Sequence, residues 1–125
     1  MTKDKIIVTC GEYDPLTVEE LSFLMECKRK GDWLIVGLRS DQWMSINRGG
    51  LSQDYETRRE IISHLKCVDE VFRFNDSDGT LCNLLRLVKL CYPMADITYV
   101  SSQDMHNMPE TKMRGITFEV LKQGV

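Results

Sequence analysis

The sequence predicts a three-layer, doubly wound α/β fold in which five parallel strands form one sheet within a single domain. Strand-like and helix-like segments alternate along the whole chain. The first two strand segments are nearly continuous apolar runs, as expected of strands that are covered on both faces. The length of 125 residues suits one well-buried domain and is too short for two ordinary ones. We therefore expect one domain over residues 1–125.

Five segments have the composition of strands. They are "KIIVTC" (5–10), "WLIVGL" (33–38), "DEVFRF" (69–74), "DITYVS" (96–101) and "ITFEVL" (116–121). The links between these segments and the intervening helices are short. Short links imply parallel pairing through right-handed crossovers, the arrangement of a Rossmann-like sheet.

Three helices are predicted, over residues 18–32, 54–66 and 80–91. In the first, Leu21, Leu24, Met25 and Lys28 share one face, and Gly31 ends the helix. The predicted face of the second helix is formed by Arg58, Ile61, Ile62 and Leu65, with Ser52 or Asp54 as the N-cap. The third helix is expected to begin after Asp78 or Thr80.

The composition excludes several classes of protein. An apolar fraction of 42% with 28% charged residues is typical of a globular protein, and a net charge of −3 gives no electrostatic reason to expect a nucleic-acid partner. No apolar run approaches membrane-spanning length, and the first ten residues lack the apolar core of a signal peptide, so we expect a cytoplasmic protein without a membrane partner. Five scattered cysteines and only two histidines predict reduced core thiols and no metal site.

In doubly wound sheets, ligands bind beyond the carboxyl ends of the strands, where the strand order reverses. This rule directs attention to three segments. They are the loop after "KIIVTC", the long loop "RSDQWMSINRGGLSQ" (39–53), and the turn "SSQDMHNMPE" (101–110). Long loops in compact domains are often functional.

Six motifs occur in an order that resembles one enzyme family. They are "GEYDPLTVEE" (11–20), "GDWLIVGL" (31–38), "SD" (40–41), "NRGG" (47–50), "ETRREIISHL" (56–65) and "VDEV" (68–71). In this order they resemble the cytidylyltransferase-like nucleotidyltransferases, small α/β enzymes that include glycerol-3-phosphate cytidylyltransferase and the transferase domain of heptose-nucleotide synthases. Members open with a strand, the motif G-x-F-D-x-x-H-x-G-H and a helix.

The resemblance implies a nucleotide site and its reactants. Its family-matched candidates are Gly11, Tyr13, Asp14, Thr17, Glu20, Arg48, Arg58, Asp104 and Thr117. An active member would use CTP or ATP with Mg²⁺ and a phosphorylated small molecule, and members commonly form homodimers.

The departures from the family pattern occur at motif residues that take part in substrate binding and catalysis in the family. The two motif histidines, which bind the triphosphate in the family, are Thr17 and Glu20 here, and the glycine between them is Glu19. The family's G-G-D-like stretch reads "SSQD", which retains Asp104, and the I-S-T-S-like start of the final helix reads "ITFE", which retains Ile116 and Thr117. No spacing argument places His106 where a motif histidine is missing.

The sequence "TVEE" at 17–20 has the form of a capping box, in which Thr17 and Glu20 satisfy each other's backbone N–H groups. A helix N-terminus binds phosphate because its first N–H groups lack partners. We therefore expect the helix to have closed the anion site with its own carboxylate.

Three interpretations of the acidic cluster Glu12, Asp14, Glu19 and Glu20 are open: a capped and solvated helix start, a divalent-cation site, or a working transferase in which a metal ion replaces the histidines' charge. The last requires Arg48 and Arg58 to bind the phosphates. Both arginines have an alternative as surface or ion-pairing residues, Arg58 with Glu56 and Glu60.

Three functions follow from the sequence. The first hypothesis is a degenerate family member that has lost catalysis and binds a ligand or a partner. The second is an active transferase of CMP or AMP to a phosphorylated sugar or polyol, with release of pyrophosphate. The third is a purely structural homodimer.

Overall fold

In the part of the chain that the structure describes, the sheet consists of five strands, all parallel. A computed structural model describes residues 4–105 and 108–122 of the chain. The strands are β1 (Lys5–Gly11), β2 (Trp33–Leu38), β3 (Glu70–Phe72), β4 (Asp96–Ser101) and β5 (Ile116–Val120). Their spatial order is β3-β2-β1-β4-β5. The chain runs outward from β1 to β3 and then returns to the other side of β1, which confirms the doubly wound arrangement.

Within the described residues, four α-helices and one short 3₁₀ helix connect the strands. The α-helices are α1 (Val18–Arg29), α2 (Asp41–Arg48), α3 (Tyr55–Ser63) and α4 (Cys82–Cys91), and the 3₁₀ helix spans Pro109–Lys112. Helices cover both faces of the sheet. Ile6 of β1 packs with Leu84 of α4 on one face, whereas Ile7 packs with Leu24 of α1 and Ile62 of α3 on the other. These three layers place the core on either side of β1.

The segment expected to be one long loop, 39–53, contains a helix. Asp41–Arg48 forms α2, with the Ser40 hydroxyl accepting from the Trp43 N–H at 3.0 Å and Gly49 in the left-handed conformation at φ 75°. Met44 is the only buried residue of α2. A helix of eight residues between a strand end and the pair Gly49–Gly50 is short enough to be taken for part of a loop.

The start of α4 also differs from expectation. Neither Asp78 nor Thr80 is the N-cap; Leu81 occupies that position without a side-chain cap. The Asp78 carboxylate accepts from the Thr80 N–H at 2.9 Å instead, while Thr80 Oγ1 accepts from the Cys82 N–H at 3.2 Å. A buried carboxylate from a distant segment, Glu110, accepts from the Leu81 N–H at 2.8 Å. The N-terminus of α4 is therefore capped partly by a side chain that is distant in sequence, that of Glu110.

The buried faces of α1 and α3 are rotated relative to prediction. In α1 the buried residues are Phe23, Leu24 and Cys27, while Met25 is 44% exposed. Lys28 does not lie in the core, because its ammonium pairs with Asp69 at 2.7 Å. In α3 the buried residues are Tyr55, Arg58 and Ile62, and the N-cap is Asp54 rather than Ser52.

Among the described residues, no helix has both the length and the apolar character that are needed to cross a bilayer.

Candidate functional site

A cavity of about 500 Å³ opens at the carboxyl ends of β1 and β4, between which the strand order reverses. Three segments supply most of its wall: residues 9–13, the region from Arg39 to Arg48, and residues 101–105. These are the three segments that the sequence indicated. The topology alone brings them together, because the carboxyl ends of parallel strands meet at one edge of the sheet.

Gly11 and Tyr13 form the turn that follows β1. A Cβ atom at Gly11 would lie 2.6 Å from Tyr13 Cζ, so only glycine lets the tyrosine ring pack against this strand end. Tyr13 itself has φ 50° and is 4% exposed. Both residues line the cavity. Their positions therefore depend on each other.

Asp14 lies in the same turn and connects it to the segment before α3. Its carboxylate accepts from the Ser52 N–H at 2.8 Å and from the Gln53 N–H at 2.6 Å. Asp14 does not line the cavity among the described residues.

The N-terminus of α1 carries the predicted capping box. Glu20 Oε1 accepts from the Thr17 N–H at 2.9 Å, and Thr17 Oγ1 accepts from the Glu20 N–H at 3.1 Å. Glu19 and Glu20 line the cavity, whereas Thr17 does not. The predicted capping box is confirmed, and it engages the backbone N–H groups of Thr17 and Glu20. Negative side chains occupy the place where a phosphate would approach the helix.

Arg48 lies at the end of α2 and lines the cavity, but its charge is matched by Glu12. Its Nε lies 3.0 Å from both Glu12 carboxylate oxygens, and its Nη2 donates to Glu12 Oε2 at 2.6 Å. The guanidinium carbon lies 5.1 Å from the centre of the Trp43 ring. A phosphate could reach this guanidinium only in competition with a carboxylate that already binds it in a fork geometry.

Arg58 stabilises the loops around the cavity and is not among the residues that line it. It is fully buried, so the surface pairing with Glu56 and Glu60 considered from the sequence is wrong. Its guanidinium donates to the carbonyl oxygens of Gln53 (3.0 Å), Glu12 (3.1 Å) and Arg39 (2.9 Å), and to the Asp41 carboxylate (2.7 Å). It thereby connects the loops after β1 and β2 to the start of α3.

The remaining family-matched candidates are divided between the cavity and the far sheet edge. Asp104 lines the cavity, as do Ser102 and Gln103 next to it. Thr117 lies exposed within β5 and is not among the cavity residues, so the match to the start of a final helix falls on a strand. His106 lies outside the described residues.

Arg39 is a cavity residue that the sequence reasoning missed. It directly follows β2, and its guanidinium lies 4.3 Å from the centre of the Trp43 ring. Its side chain is 12% exposed and lies 4.0 Å from the buried carboxylate of Asp76. The sequence feature that could have identified Arg39 is its position as a cationic residue directly after a buried strand, at the edge of the sheet where ligands bind.

Cys10 and the two buried tyrosines Tyr13 and Tyr99 also line the cavity. Burial raises the pKa of the Cys10 thiol to about 12 and holds the pKa of both phenols well above the ordinary value. All three groups are therefore neutral near pH 7. Cys10 has no thiolate character that would suit a nucleophile.

The charges around the cavity do not favour an anion. Four carboxylates line it among the described residues, those of Glu12, Glu19, Glu20 and Asp104. Of the arginines that the structure describes, two line the cavity with these carboxylates, Arg39 and Arg48. The described residues bring no three His, Cys, Asp or Glu side chains together where they could hold a metal ion.

The profile of the cytidylyltransferase-like family matches residues 8–120, which is most of the chain. This chain belongs to the cytidylyltransferase-like family. A structural neighbour of this family member is a lipopolysaccharide core biosynthesis protein from Thermoplasma volcanium. It superposes with a TM-score of 0.72 over 96% of this chain and 98% of its own, at 22% identity, which supports the shared fold.

Two proteins show what this cytidylyltransferase-like chain is similar to in sequence. The bifunctional protein HldE of Hydrogenovibrio crunogenus is 33% identical over 85 residues, which cover 65% of this chain and 18% of that protein. The glycerol-3-phosphate cytidylyltransferase of Staphylococcus aureus is 33% identical over 67 residues, 54% of this chain and 51% of that enzyme. The matched part of the chain thus spans about half of one relative and less than a fifth of the other.

Proposed function

We propose that this protein keeps the nucleotidyltransferase fold, does not transfer a nucleotidyl group, and acts by binding a ligand or a partner. The observation that carries the proposal is the capping box of α1. Its two reciprocal hydrogen bonds, at 2.9 Å and 3.1 Å, engage backbone donors that a triphosphate would need. The motif histidines that would offset a phosphate's charge are replaced by Thr17 and Glu20.

Electrostatic repulsion supports the same proposal. Two like charges about 4 Å apart cost on the order of 4 kcal/mol at an effective dielectric constant near 20. A triphosphate placed at the start of α1 would meet the carboxylates of Glu19 and Glu20, while Glu12 already binds Arg48. The cavity thus keeps the location of a family ligand site but opposes the family's ligand.

The family-matched residues divide into two proposed roles. Gly11, Tyr13, Glu20, Arg48 and Asp104, which line the cavity, are proposed to contact or exclude a ligand. Asp14, Thr17 and Arg58 are proposed to hold the loops, through the hydrogen bonds described above. Thr117 lies away from the cavity, so we propose no ligand contact for it.

A second candidate function is an active nucleotidyltransferase. It is favoured by family membership and by two arginines, Arg39 and Arg48, that line the cavity. CTP or ATP would then donate CMP or AMP to a phosphorylated sugar or polyol. Because the described residues offer no cluster of three metal ligands, Mg²⁺ would have to be bound mainly by the nucleotide itself.

A pyrophosphate-release assay separates the two functions. The protein is incubated with CTP or ATP, Mg²⁺, and glycerol 3-phosphate or a sugar phosphate. The proposal expects no release above that of a heat-denatured sample. Robust metal-dependent release that is lost in Arg39→Ala or Arg48→Ala would establish the second function instead.

We further propose that the domain, residues 1–125 as a whole, forms a homodimer in the cytoplasm, because the family resemblance implies pairing. Sedimentation velocity at micromolar concentration tests this assembly. A single monomeric species would contradict it.

A further inference from the structure

A second cavity, of about 350 Å³, opens at the carboxyl ends of β2 and β3. Leu38, the last residue of β2, and Arg73, which directly follows β3, both line it. Its described lining residues include none that line the cavity at β1 and β4, and none of the family-matched candidates. Its volume lies within the range of small-molecule sites, and it opens at the edge of the sheet where ligands bind.

One buried hydrogen-bonding group at this second cavity lacks a partner. Tyr55, the first residue of α3, lines the second cavity and is 5% exposed. Its hydroxyl is buried and, within residues 4–105 and 108–122, forms no hydrogen bond. Burial raises the pKa of this phenol above its ordinary value, so near pH 7 the phenol has an O–H to donate. Because buried hydroxyls normally have partners, this one indicates a ligand that supplies an acceptor.

A guanidinium group adjoins this phenol. The guanidinium carbon of Arg73 lies 3.8 Å from the centre of the Tyr55 ring. Its Nη2 donates to the Glu56 carboxylate at 2.8 Å, and the side chain is 63% exposed. A guanidinium has five N–H donors, so a single bond from Nη2 leaves donors for a second carboxylate. Tyr55 and Arg73 thus present O–H and N–H donors side by side, a combination that suits a carboxylate ligand.

The charges at the second cavity favour a ligand with a single negative charge. Among its described lining residues, Asp76 supplies the only carboxylate. Asp76 is 6% exposed, and its two oxygens accept from the Ser40 N–H at 2.9 Å and the Ser40 hydroxyl at 2.7 Å. The Arg39 guanidinium lies 4.0 Å from it. A phosphate carries more than one negative charge near pH 7, so Asp76 and Glu56 would repel it more strongly than a carboxylate.

We propose that this second cavity binds a small organic acid through its carboxylate. The ligand's carboxylate would accept from the Tyr55 hydroxyl and the Arg73 guanidinium. A short apolar body would lie against Leu38 and Phe74, which line the second cavity and are 1% and 8% exposed. Because these residues are separate from the start of α1, the organic acid would bind whether or not nucleotidyl transfer is lost.

Benzoate and benzamide test the charge requirement on the unmodified protein, because the two probes share a shape and differ in charge. In NMR titrations near pH 7 at constant ionic strength, we expect saturable binding of benzoate and at least about tenfold weaker binding of benzamide. Inorganic phosphate is expected to bind more weakly than benzoate. Equal affinities for benzoate and benzamide, tighter binding of phosphate, or no saturable binding of benzoate would overturn the carboxylate site.

Tyr55→Phe removes only the unpartnered hydroxyl. We expect this variant to bind benzoate about fivefold more weakly, the effect of one net hydrogen bond. Its urea midpoint should not fall, because no hydrogen bond within the described residues is lost. Unchanged benzoate affinity in Tyr55→Phe would place the ligand elsewhere and refute this site.

Arg73→Met is expected to weaken benzoate binding at least about tenfold. The matched control is Arg29→Met, which replaces a similarly exposed arginine at the end of α1 and should leave the affinity unchanged. Glu56→Gln should tighten benzoate binding, because it releases Nη2 of Arg73. Equal losses in Arg73→Met and Arg29→Met would refute the site. Pyrophosphate release tests the proposed function and benzoate binding tests this site, so the two failures are distinguishable.

Discussion

Arg58 is a buried side chain that stabilises the loops around the cavity, although it does not line the cavity. Its guanidinium is fully buried and reaches three backbone carbonyl oxygens and one carboxylate. We expect Arg58→Met to lower the free energy of unfolding by about 3 kcal/mol, because charged hydrogen bonds are lost and Asp41 loses its partner. Urea denaturation measures the change. The control is Arg59→Met, which alters an exposed arginine on the same helix and should barely move the midpoint. Equal effects of the two substitutions would contradict the structural role.

The reactivity of Cys10 tests how far the cavity wall shields this half-buried thiol. Its pKa is raised to about 12 by burial, so the thiolate, which is the nucleophilic form, is scarce at pH 8. We expect iodoacetamide to modify Cys10 at least about tenfold more slowly than the exposed Cys91, measured by peptide mass spectrometry. Equal rates for the two cysteines would show that the thiol of Cys10 is open to solvent in the cavity.

The same shift predicts a dependence of stability on pH. The folded-state pKa of Cys10 lies above the ordinary value of 9.0, so its contribution to stability is complete below that value. The contribution is lost progressively as pH rises from about 9 towards 12. Cys10→Ala should therefore flatten the decline of the urea midpoint between pH 9 and pH 11.

The chemistry of individual side chains was only partly readable from sequence. Thr17 and Glu20 were predicted correctly, because a capping box is a local pattern in which partners lie three residues apart. The role of Arg58 was not predictable, because its partners Glu12 and Asp41 lie 46 and 17 residues away in sequence. Arg39 could have been found from its place directly after a buried strand.

At the scale of elements, the first turn of α1 matters most. Thr17→Val keeps the shape of the side chain but removes the oxygen that accepts from the Glu20 N–H. We expect this loss of an N-cap to lower the free energy of unfolding by about 1 kcal/mol in urea denaturation. The matched control, Thr117→Val, changes an exposed position within β5, where a β-branched residue is well suited, and should cause no loss. A neutral Thr17→Val would mean that the capping box contributes nothing in solution.

Elements were predictable from sequence to the extent that they carry an apolar face. The segments of α1, α3 and α4 were recognised because each packs several side chains onto the sheet, whereas α2 buries only Met44 and was taken for a loop. The cap of α4 was missed for a different reason. Glu110 contacts Leu81 across 29 residues, and no local pattern encodes such a contact.

On the scale of the whole molecule, the order of strands follows from rules of topology. Apolar runs separated by helices leave few arrangements other than a parallel, doubly wound sheet, and the carboxyl edge of such a sheet is where ligands bind. The sequence therefore identified the three loops at that edge, although it did not predict the contacts between them. The pairing of charged residues at that edge could not be predicted in the same way. The pairs Arg48–Glu12 and Arg39–Asp76 join residues that are far apart in sequence.

The central claim is that the positive end of α1 is closed to phosphate by its own side chains. A variant that restores the family motif, Thr17→His with Glu19→Gly and Glu20→His, removes both carboxylates and frees the helix donors. Calorimetric titration with CTP and ATP, with and without Mg²⁺, compares this variant with the unmodified protein. We predict no saturable binding to the unmodified protein and measurable binding to the variant. Saturable nucleotide binding to the unmodified protein that is weakened in the variant would contradict the claim directly.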